Sequence, residues 1–182
     1  MALHSYLRKL KMGDRKAFEQ LIYDTQNMIY GIAYSHVQDT NIAEDLAQET
    51  YLKAFVSLNG LKNPSKIKTW LASIAHHTAI DWCRKKKEQP QSNVSPFAEM
   101  PSMSTVGQDN VEEQERQEYV QKALQELRPD EREIIVLRYI EELSYKEIAD
   151  TLNMTVTATG EKLCRIRRNL EEKVKLQKED VL

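Results

Sequence analysis

The segment from Glu142 to Leu170 has the pattern of two short helices joined by a polar turn. Ser144 and Glu147 have the spacing of a capping box, in which a hydroxyl and a carboxylate each bind a free backbone N–H at a helix start. Apolar residues recur at helical spacing on both sides of the turn. The spacing predicts a helix-turn-helix whose second helix begins near Thr155 or Thr157.

The second of these helices is predicted to be apolar on one side and cationic on the other. Its apolar positions are Leu163, Ile166 and Leu170, and the opposite side carries Lys162, Arg165, Arg167, Arg168 and Asn169. Such a helix can dock by its apolar side and offer cations to phosphates and base edges in a major groove. A solvated helix of a bundle can have the same pattern, and DNA binding is the favoured interpretation of the two.

The chain as a whole has the composition of an all-α protein. Its 182 residues include only 5 Gly and 5 Pro, and segments with a period of 3.6 residues dominate. The net charge of −2 is unevenly distributed, because residues 62–87 are basic while residues 109–133 are acidic. Two separate basic regions, 62–87 and the last predicted helix, suit a protein that contacts nucleic acid in two places.

The cysteines and the hydropathy pattern bear on the compartment. Cys83 and Cys164 lack the spacing of a metal or disulfide motif, and we expect them to be reduced structural thiols. No apolar run reaches the roughly 18 residues that span a bilayer, and the N-terminal stretch lacks the apolar core of a signal peptide. These features predict a cytoplasmic protein.

One helix of the first half carries an unusual stripe of acidic and amide side chains. The helix is predicted to begin at Asn41, and Glu44 has the spacing of a capping-box partner. Gln48 lies four residues after Glu44, and Asp45 and Glu49 have the same separation, so the four side chains share one face. The stripe is either solvated surface or a docking face for a basic partner, and the pattern alone favours the surface.

Residues 59–68 contain the turn dipeptides Asn-Gly and Asn-Pro and are predicted to form a loop. The helix that follows, predicted over residues 69–87, ends in a run of cations. Aromatic rings beside cations can form a platform for single-stranded nucleic acid, although tryptophans in helices are more often core residues. The rings in question are Trp70, His76, His77 and Trp82.

The sequence of the same helix gives little support for a metal site or for an enzymatic activity. His77 and Asp81 are four residues apart and could be two ligands of a metal, but a third ligand is missing from the pattern. A hydrolase built on His76, His77 and Asp81 would also need a phosphate loop or a nucleophile motif, and the sequence contains neither. We therefore predict no metal, no cofactor and no enzymatic activity.

Residues 88–110 are rich in Ser, Gln, Pro and Asn without a period, which is typical of a flexible linker. They divide the chain into two small helical domains, residues 1–87 and 111–182. The second is predicted to contain a helix over residues 111–127, a break at Arg128-Pro129, a further helix and the helix-turn-helix. Residues 173–182 are predicted to be a fraying tail.

Three segments in this order, AEDLAQETYLKAF, IKTWLASIAHHTAIDWCRKKK and LRPDEREIIVLRYIEELSYKEIADTLNMT, closely resemble the extracytoplasmic-function sigma factors of bacteria. The resemblance extends from about Asp14 to Leu170. It implies a sigma factor that binds core RNA polymerase and directs promoter-specific initiation for a stress or envelope-response regulon. It also implies a linker between a domain that reads the −10 element and a helix-turn-helix domain that reads the −35 element.

The resemblance assigns roles to individual residues of this chain. Contact with the clamp helices of the polymerase β′ subunit is implied for Glu44, Asp45, Gln48, Glu49 and Leu52. Recognition and melting of the −10 element, with capture of a flipped base, is implied for Asn59, Lys62, Asn63, Lys66, Lys68, Trp70, His77, Asp81, Arg84, Lys85 and Lys86. Recognition of the −35 element is implied for Thr155, Thr157, Thr159, Glu161, Lys162, Arg165, Arg167 and Arg168.

Further partners follow from the same resemblance. The β flap of the polymerase, promoter DNA and an anti-sigma factor are implied, and a small-molecule substrate is not. An autonomous helix-turn-helix regulator that binds its operator without polymerase is the alternative that the residues leave open.

The sequence departs from the family pattern at several DNA-facing positions. The recognition helix begins with Thr157, Ala158, Thr159 and Gly160, then Glu161, where the family often has Gly-Thr-Val followed by a cation. Gly160 is expected to weaken the helix by about 1 kcal/mol relative to Ala. His77 stands where Asn is frequent and Ile67 where an aromatic residue is frequent. We therefore expect promoter preferences that differ from the commonest ones in the family.

Overall fold

The computed structural model describes residues 2–88 and 123–179, and the side chains of residues 5–88 and 123–173. Every regular element within those two ranges is helical, which confirms the predicted all-α class. The predicted linker (88–110) lies outside the described residues apart from Glu88, as does most of the helix predicted over 111–127. The α-helices are α1 (Ala2–Lys11), α2 (Arg15–Val37), α3 (Thr40–Ser57), α4 (Ile67–Glu88), α5 (Pro129–Ile135), α6 (Tyr145–Leu152) and α7 (Val156–Glu179).

The start of α3 differs from the prediction. The side chain of Asp39, not that of Asn41, caps the helix by accepting the backbone N–H of Ile42 at 3.0 Å. Just before it, Gln38 adopts a left-handed conformation with φ of 51° and ends α2 by donating its N–H to the carbonyl of Tyr34. A left-handed residue followed at once by a capping Asp makes a tight turn, so α3 folds back against α2.

The predicted loop over residues 59–68 contains two 3₁₀ turns, Leu58–Gly60 and Pro64–Lys66. Asn63 has extended backbone angles, as expected for a residue before proline, and its side chain accepts the N–H of Ser65 at 3.0 Å. Helix α4 begins at Ile67, two residues before the predicted start, because the second 3₁₀ turn leads directly into it.

The first module consists of α1 to α4, with α2, α3 and α4 packed against one another. Its core is formed by the inward side chains of these helices, and Ile29, Ile32 and Leu71 are fully buried. This packing places the outer faces of α3 and α4 side by side on the surface.

The second module consists of α5, the π-helical segment Val136–Ile140, α6 and α7. Its helix-turn-helix confirms the predicted capping box: the Glu147 N–H donates to the Ser144 hydroxyl at 3.3 Å, and the Ser144 N–H donates to the Glu147 carboxylate at 2.9 Å. Asn153 ends α6 in a left-handed conformation, and α7 begins at Val156. The last helix continues to Glu179, through most of the predicted fraying tail.

The two modules lie against each other. Buried apolar side chains from both modules belong to one continuous cluster that includes Ile29 of α2 and Ile134 of α5. A second, smaller cluster around Tyr34 and Leu46 lies within the first module. Gly31 permits a close approach here, because a Cβ atom at this position would lie 3.0 Å from the Val136 side chain. Arg132 of α5 donates a hydrogen bond to the Ser35 carbonyl at 2.8 Å. The interface therefore combines apolar packing with buried polar contacts.

A buried carboxylate joins three helices at this interface. Glu133 of α5 is fully buried, and its oxygens lie 2.8 Å from His36 Nε2 of α2 and 2.8 Å from His76 Nδ1 of α4. Burial alone would raise the pKa of Glu133, but hydrogen bonds from the two imidazoles and their charge hold it below its ordinary value. The carboxylate is therefore in its ionised form near neutral pH.

Candidate functional surfaces

The predicted stripe of α3 lies on the surface, next to exposed apolar side chains. Glu44, Asp45, Gln48 and Glu49 are all exposed. On the next two turns, Leu52 is 69% exposed, Phe55 is 55% exposed and Val56 is 82% exposed. The outer face of α3 thus presents carboxylates and apolar groups together, which is the composition of a docking surface more than of a solvated one.

A shallow groove between α2 and α3 extends this face. Its floor is aromatic: the rings of Phe18 and Phe55 meet edge to face at 5.4 Å, and the Tyr51 hydroxyl is 2.9 Å from that of Thr25. Gln48 and Leu52 also line the groove. Phe55 and Val56 are absent from the predicted set, although their position off the inward stripe of α3 was visible in the sequence.

A second groove lies between α3 and α4 and brings part of the predicted −10 set together. Trp70, His77 and Asp81 of α4 line it, opposite Leu52 and Val56 of α3. His77 is exposed, and its Nδ1 donates to the Ser73 carbonyl at 2.6 Å, which fixes the ring orientation. Asp81 accepts a hydrogen bond from Arg84 at 2.9 Å. An aromatic ring, a fixed imidazole and a carboxylate therefore face the same open space.

The remaining −10 candidates lie elsewhere. Lys66 makes an ion pair with Asp150 of α6 across the module interface, whereas Lys62 is exposed. The Asn63 side chain is engaged in its own turn. Asn59, Lys68, Arg84, Lys85 and Lys86 are exposed, and Lys86 lies over the Trp82 ring at 4.8 Å. The structure thus divides the predicted set between a groove, a loop and the last turn of α4.

The predicted −35 set lies along α7, but one member points inward. Thr159 is fully buried, and its hydroxyl donates to the Thr155 carbonyl at 3.0 Å, so its side chain is not available to DNA. The residue falls on the inward stripe because it is four positions before Leu163. Thr155, Thr157, Glu161, Arg165, Arg167 and Arg168 are exposed.

Several cations of α7 have partners within the protein. Lys162 is only partly exposed and binds Asp130 at the start of α5. Arg165 lies 3.8 Å from Glu131. Burial would raise the pKa of Asp130, but the hydrogen bond and charge of Lys162, together with Arg128, lower it below its ordinary value. The first turn of α5 therefore neutralises part of the basic face of α7.

The contact between His36, His76 and Glu133 was missed by sequence reasoning. His36 and Glu133 are 97 positions apart, and no local spacing relates them. In the sequence, His76 stands out only as a ring near cations and as part of an unsupported hydrolase site with His77 and Asp81. The contact arises from the packing of α2, α4 and α5 against one another, and no local pattern in the sequence indicates that packing.

Known proteins share this organisation. Family models described as Sigma-70 region 2 and Sigma-70, region 4 match residues 21–89 and 117–170. The ECF RNA polymerase sigma factor SigX of Bacillus subtilis (strain 168) is 31% identical over 90% of this chain and 87% of its own length. The chain belongs to the extracytoplasmic-function RNA polymerase sigma factors. It is therefore a transcription initiation factor that directs RNA polymerase to promoters, and the autonomous regulator is not supported.

Other relatives agree with this assignment. SigW of Bacillus subtilis (strain 168) is 28% identical to this sigma factor over 96% of the chain and 98% of its own length. Among solved structures, the sigma factor RpoE in complex with the anti-sigma factor NepR from Bartonella quintana has a TM-score of 0.70, with 24% identity. That match covers 88% of this chain and 98% of the RpoE chain, and supports the fold. Within the described residues, none of the helices is both long and apolar enough to cross a bilayer.

Proposed function

We propose that this sigma factor fastens to core RNA polymerase through α3 and reads the two promoter elements with different modules. Residues 1–87 form the unit that binds the clamp helices of β′ and opens the −10 element. Residues 111–182 form the unit that reads the −35 element and contacts the β flap. The segment 88–110, of which the structure describes only Glu88, is proposed to connect the two units.

The exposed apolar side chains of α3 carry the proposal for polymerase binding. A helix face that contacts only water seldom carries Leu, Phe and Val on two successive turns. Each exposed apolar side chain has an unfavourable hydration free energy, which burial against a partner would remove. The acidic and amide side chains of the stripe precede them on the same helix: Glu44, Asp45, Gln48 and Glu49. These side chains would orient the protein against a basic partner surface. Leu52 lies between the two groups and is the proposed centre of the contact.

The groove between α3 and α4 supports a role in opening the −10 element. Trp70 offers a ring on which an unpaired base can stack, and His77 and Asp81 offer hydrogen-bonding groups at the same opening. The cations Lys62, Lys68, Arg84, Lys85 and Lys86 are proposed to follow the backbone, and Asn59, Asn63 and Lys66 to contact DNA from the loop. Lys66 would first have to leave Asp150.

The exposed positions of α7 support −35 recognition. Thr157 near the start of the helix, and Arg165 and Arg168 further along, can reach a major groove from one side. Thr155, whose hydroxyl accepts the N–H of Ala158 at 3.1 Å, is proposed to contact DNA from the end of the helix. Arg167 and Lys162 are proposed to bind phosphates, with Lys162 exchanging Asp130 for DNA. Glu161 would repel phosphates and lower the affinity for DNA of any sequence, and Thr159 is omitted because it is buried.

Further aspects of the proposal concern regulation and setting. An anti-sigma factor is proposed as a partner, because the similar structure of RpoE from Bartonella quintana contains the anti-sigma factor NepR. The protein is proposed to act in the cytoplasm on a stress or envelope-response regulon, without a small-molecule substrate, a cofactor or catalysis of its own.

A double lysine substitution on α3 tests the polymerase contact. Asp45→Lys combined with Gln48→Lys should lower the affinity for core polymerase at least about tenfold, because it places two cations opposite a basic surface. The matched control is Asp24→Lys with Gln20→Lys, which makes the same substitutions on exposed positions of α2. Affinity is measured with purified core enzyme, and run-off transcription with sequencing of the products identifies the promoter.

The two variants separate a local effect from a general one. Full core affinity in the α3 variant would contradict the proposed docking face. An equal loss in both variants would point to net charge and would also contradict it. Loss in the α3 variant alone, with folding unchanged by circular dichroism, supports the proposal.

A further inference from the structure

The contact between His36, His76 and Glu133 has the donor atoms of a metal site. The three side chains come from α2, α4 and α5, and their ligand atoms all lie within 4.8 Å of one another. Two imidazoles and one carboxylate form a ligand set that suits Zn²⁺ and other divalent ions of the first transition series. We propose that these three residues bind such an ion and that the site exists only when the two modules are in contact.

The geometry requires only a small adjustment. His36 Nε2 and His76 Nδ1 each lie 2.8 Å from Glu133 Oε2. Ligand bonds of about 2.0–2.1 Å in a tetrahedral arrangement separate the donor atoms by roughly 3.3–3.4 Å. Moving each ring outward by about half an ångström therefore makes room for an ion. Each imidazole would then hold its proton on the other ring nitrogen, because the coordinating nitrogen must offer a lone pair.

The burial of the Glu133 carboxylate explains why a cation would bind at this position. Glu133 is 0% exposed, His36 is 6% exposed and His76 is 14% exposed. A buried carboxylate needs a positive partner, and in the described part of the chain its polar partners are the two histidines. The nearby guanidinium of Arg132 is instead directed to backbone carbonyls, including that of Ser35. A divalent ion would supply the missing charge more fully than one protonated ring.

The positions of the ligands couple metal binding to the arrangement of the modules. His36 and His76 belong to the first module and Glu133 to the second, so the ion stabilises contact between them by mass action. This consequence rests on the proposed function. Promoter elements about 25 base pairs apart lie roughly 85 Å from each other along the DNA. Bound metal would oppose any separation of the two modules that reading both elements requires.

The test is a titration of the intact protein with Co²⁺, followed by competition with Zn²⁺. The unaltered protein should bind one ion with the visible spectrum of nitrogen and oxygen ligation. His36→Gln and His76→Gln should each weaken binding at least tenfold. His77→Gln is the matched control, because His77 neighbours His76 but is not one of the three ligands and its Nδ1 is bound to the Ser73 carbonyl, and it should bind like the unaltered protein.

Other outcomes would overturn the proposal. One is that the unaltered protein does not bind the ion. Another is that the His36→Gln and His76→Gln variants bind it as tightly as the unaltered protein does. The third is a spectrum dominated by thiolate charge transfer from Cys83 or Cys164. A measurement without mutation covers the case in which a variant does not fold: Zn²⁺ should shift the NMR ring signals of His36 and His76 strongly. The signal of His77, whose ring lies 5.2 Å from that of His76, should shift much less. Unshifted signals would refute the site. None of these readouts uses polymerase, so they can fail independently of the proposed function.

Discussion

Helices α3 and α7 both carry a predicted binding face, but the two faces differ in how far other side chains of the protein contact them. On α3 the carboxylates and the apolar residues Leu52, Phe55 and Val56 are exposed to solvent. On α7 the apolar residues Leu163 and Ile166 are buried, and the cations Lys162 and Arg165 contact acids of α5. The comparison shows that the face of α3 is left open to solvent, whereas the cationic face of α7 is partly neutralised by acids of the same chain. In the proposed function, polymerase covers the first face and DNA replaces the acids at the second.

Truncating one leucine on each helix should reveal the difference between the two faces most clearly. Leu163→Ala should lower the free energy of unfolding by about 2–5 kcal/mol, because it leaves a cavity in the core. Leu52→Ala should change that free energy by less than about 0.5 kcal/mol, because its side chain is already in water. Urea unfolding measures both.

The same pair should reverse its order in a binding assay. Leu52→Ala should weaken core polymerase binding about tenfold or more, since it removes the central apolar contact. An α3 variant that loses stability as much as the α7 variant would show that Leu52 is a structural residue.

The caps of helices α3 and α6 offer a second test. Asp39→Ala should destabilise the protein by about 1 kcal/mol, because it removes the cap of α3. Ser144→Ala should cost less, since the Glu147 carboxylate still binds the Ser144 backbone N–H. Asn41→Ala, at the position first predicted to be the cap, should have an effect below about 0.5 kcal/mol. Thermal unfolding of the three variants would show whether Asp39 is the true cap.

Gly160 is the internal weak point of α7, and α3 has no glycine. Gly160→Ala should stabilise the protein by about 1 kcal/mol, because it removes backbone freedom from the unfolded chain. A Cβ atom there would meet the Tyr145 ring at 3.6 Å, an ordinary contact. Gly31→Ala is the comparison, and its gain should be smaller or reversed because the added atom lies 3.0 Å from Val136. Equal gains in urea unfolding would contradict the tight packing at Gly31.

The smallest expected effect concerns the acid that neutralises α7. The pKa of Asp130 is lower in the folded protein than in the unfolded chain, so its ionised form stabilises the fold. That contribution is present above the unfolded-state pKa and is lost as the pH falls through the lowered folded-state value. Unfolding free energies of the protein and of Asp130→Asn should therefore converge in acid and differ at neutral pH. A difference that is independent of pH would show that the charge of Asp130 is irrelevant.

The all-α class, most of the helices, the helix-turn-helix and the family followed from the sequence alone. The capping box of Ser144 and Glu147, the Asn-Pro turn and the 3.6-residue period are local, and local interactions give Ser144 and Asn63 their predicted roles. The cap of α3 was misplaced by two residues because Asp39 and Asn41 are both good caps, and only the turn at Gln38 selects between them. The inward direction of Thr159 depends in the same way on where α7 begins.

Tertiary structure alone decided which of the predicted side chains share a surface. It united Trp70, His77 and Asp81 with Leu52 in one groove, paired Lys66 with Asp150, and brought His36 to Glu133. These contacts join helices that are distant in the chain, and their formation depends on how the helices pack and how the two modules meet. A periodic pattern specifies the buried side of each helix but not its neighbour, so these contacts could be seen only once the helices were assembled.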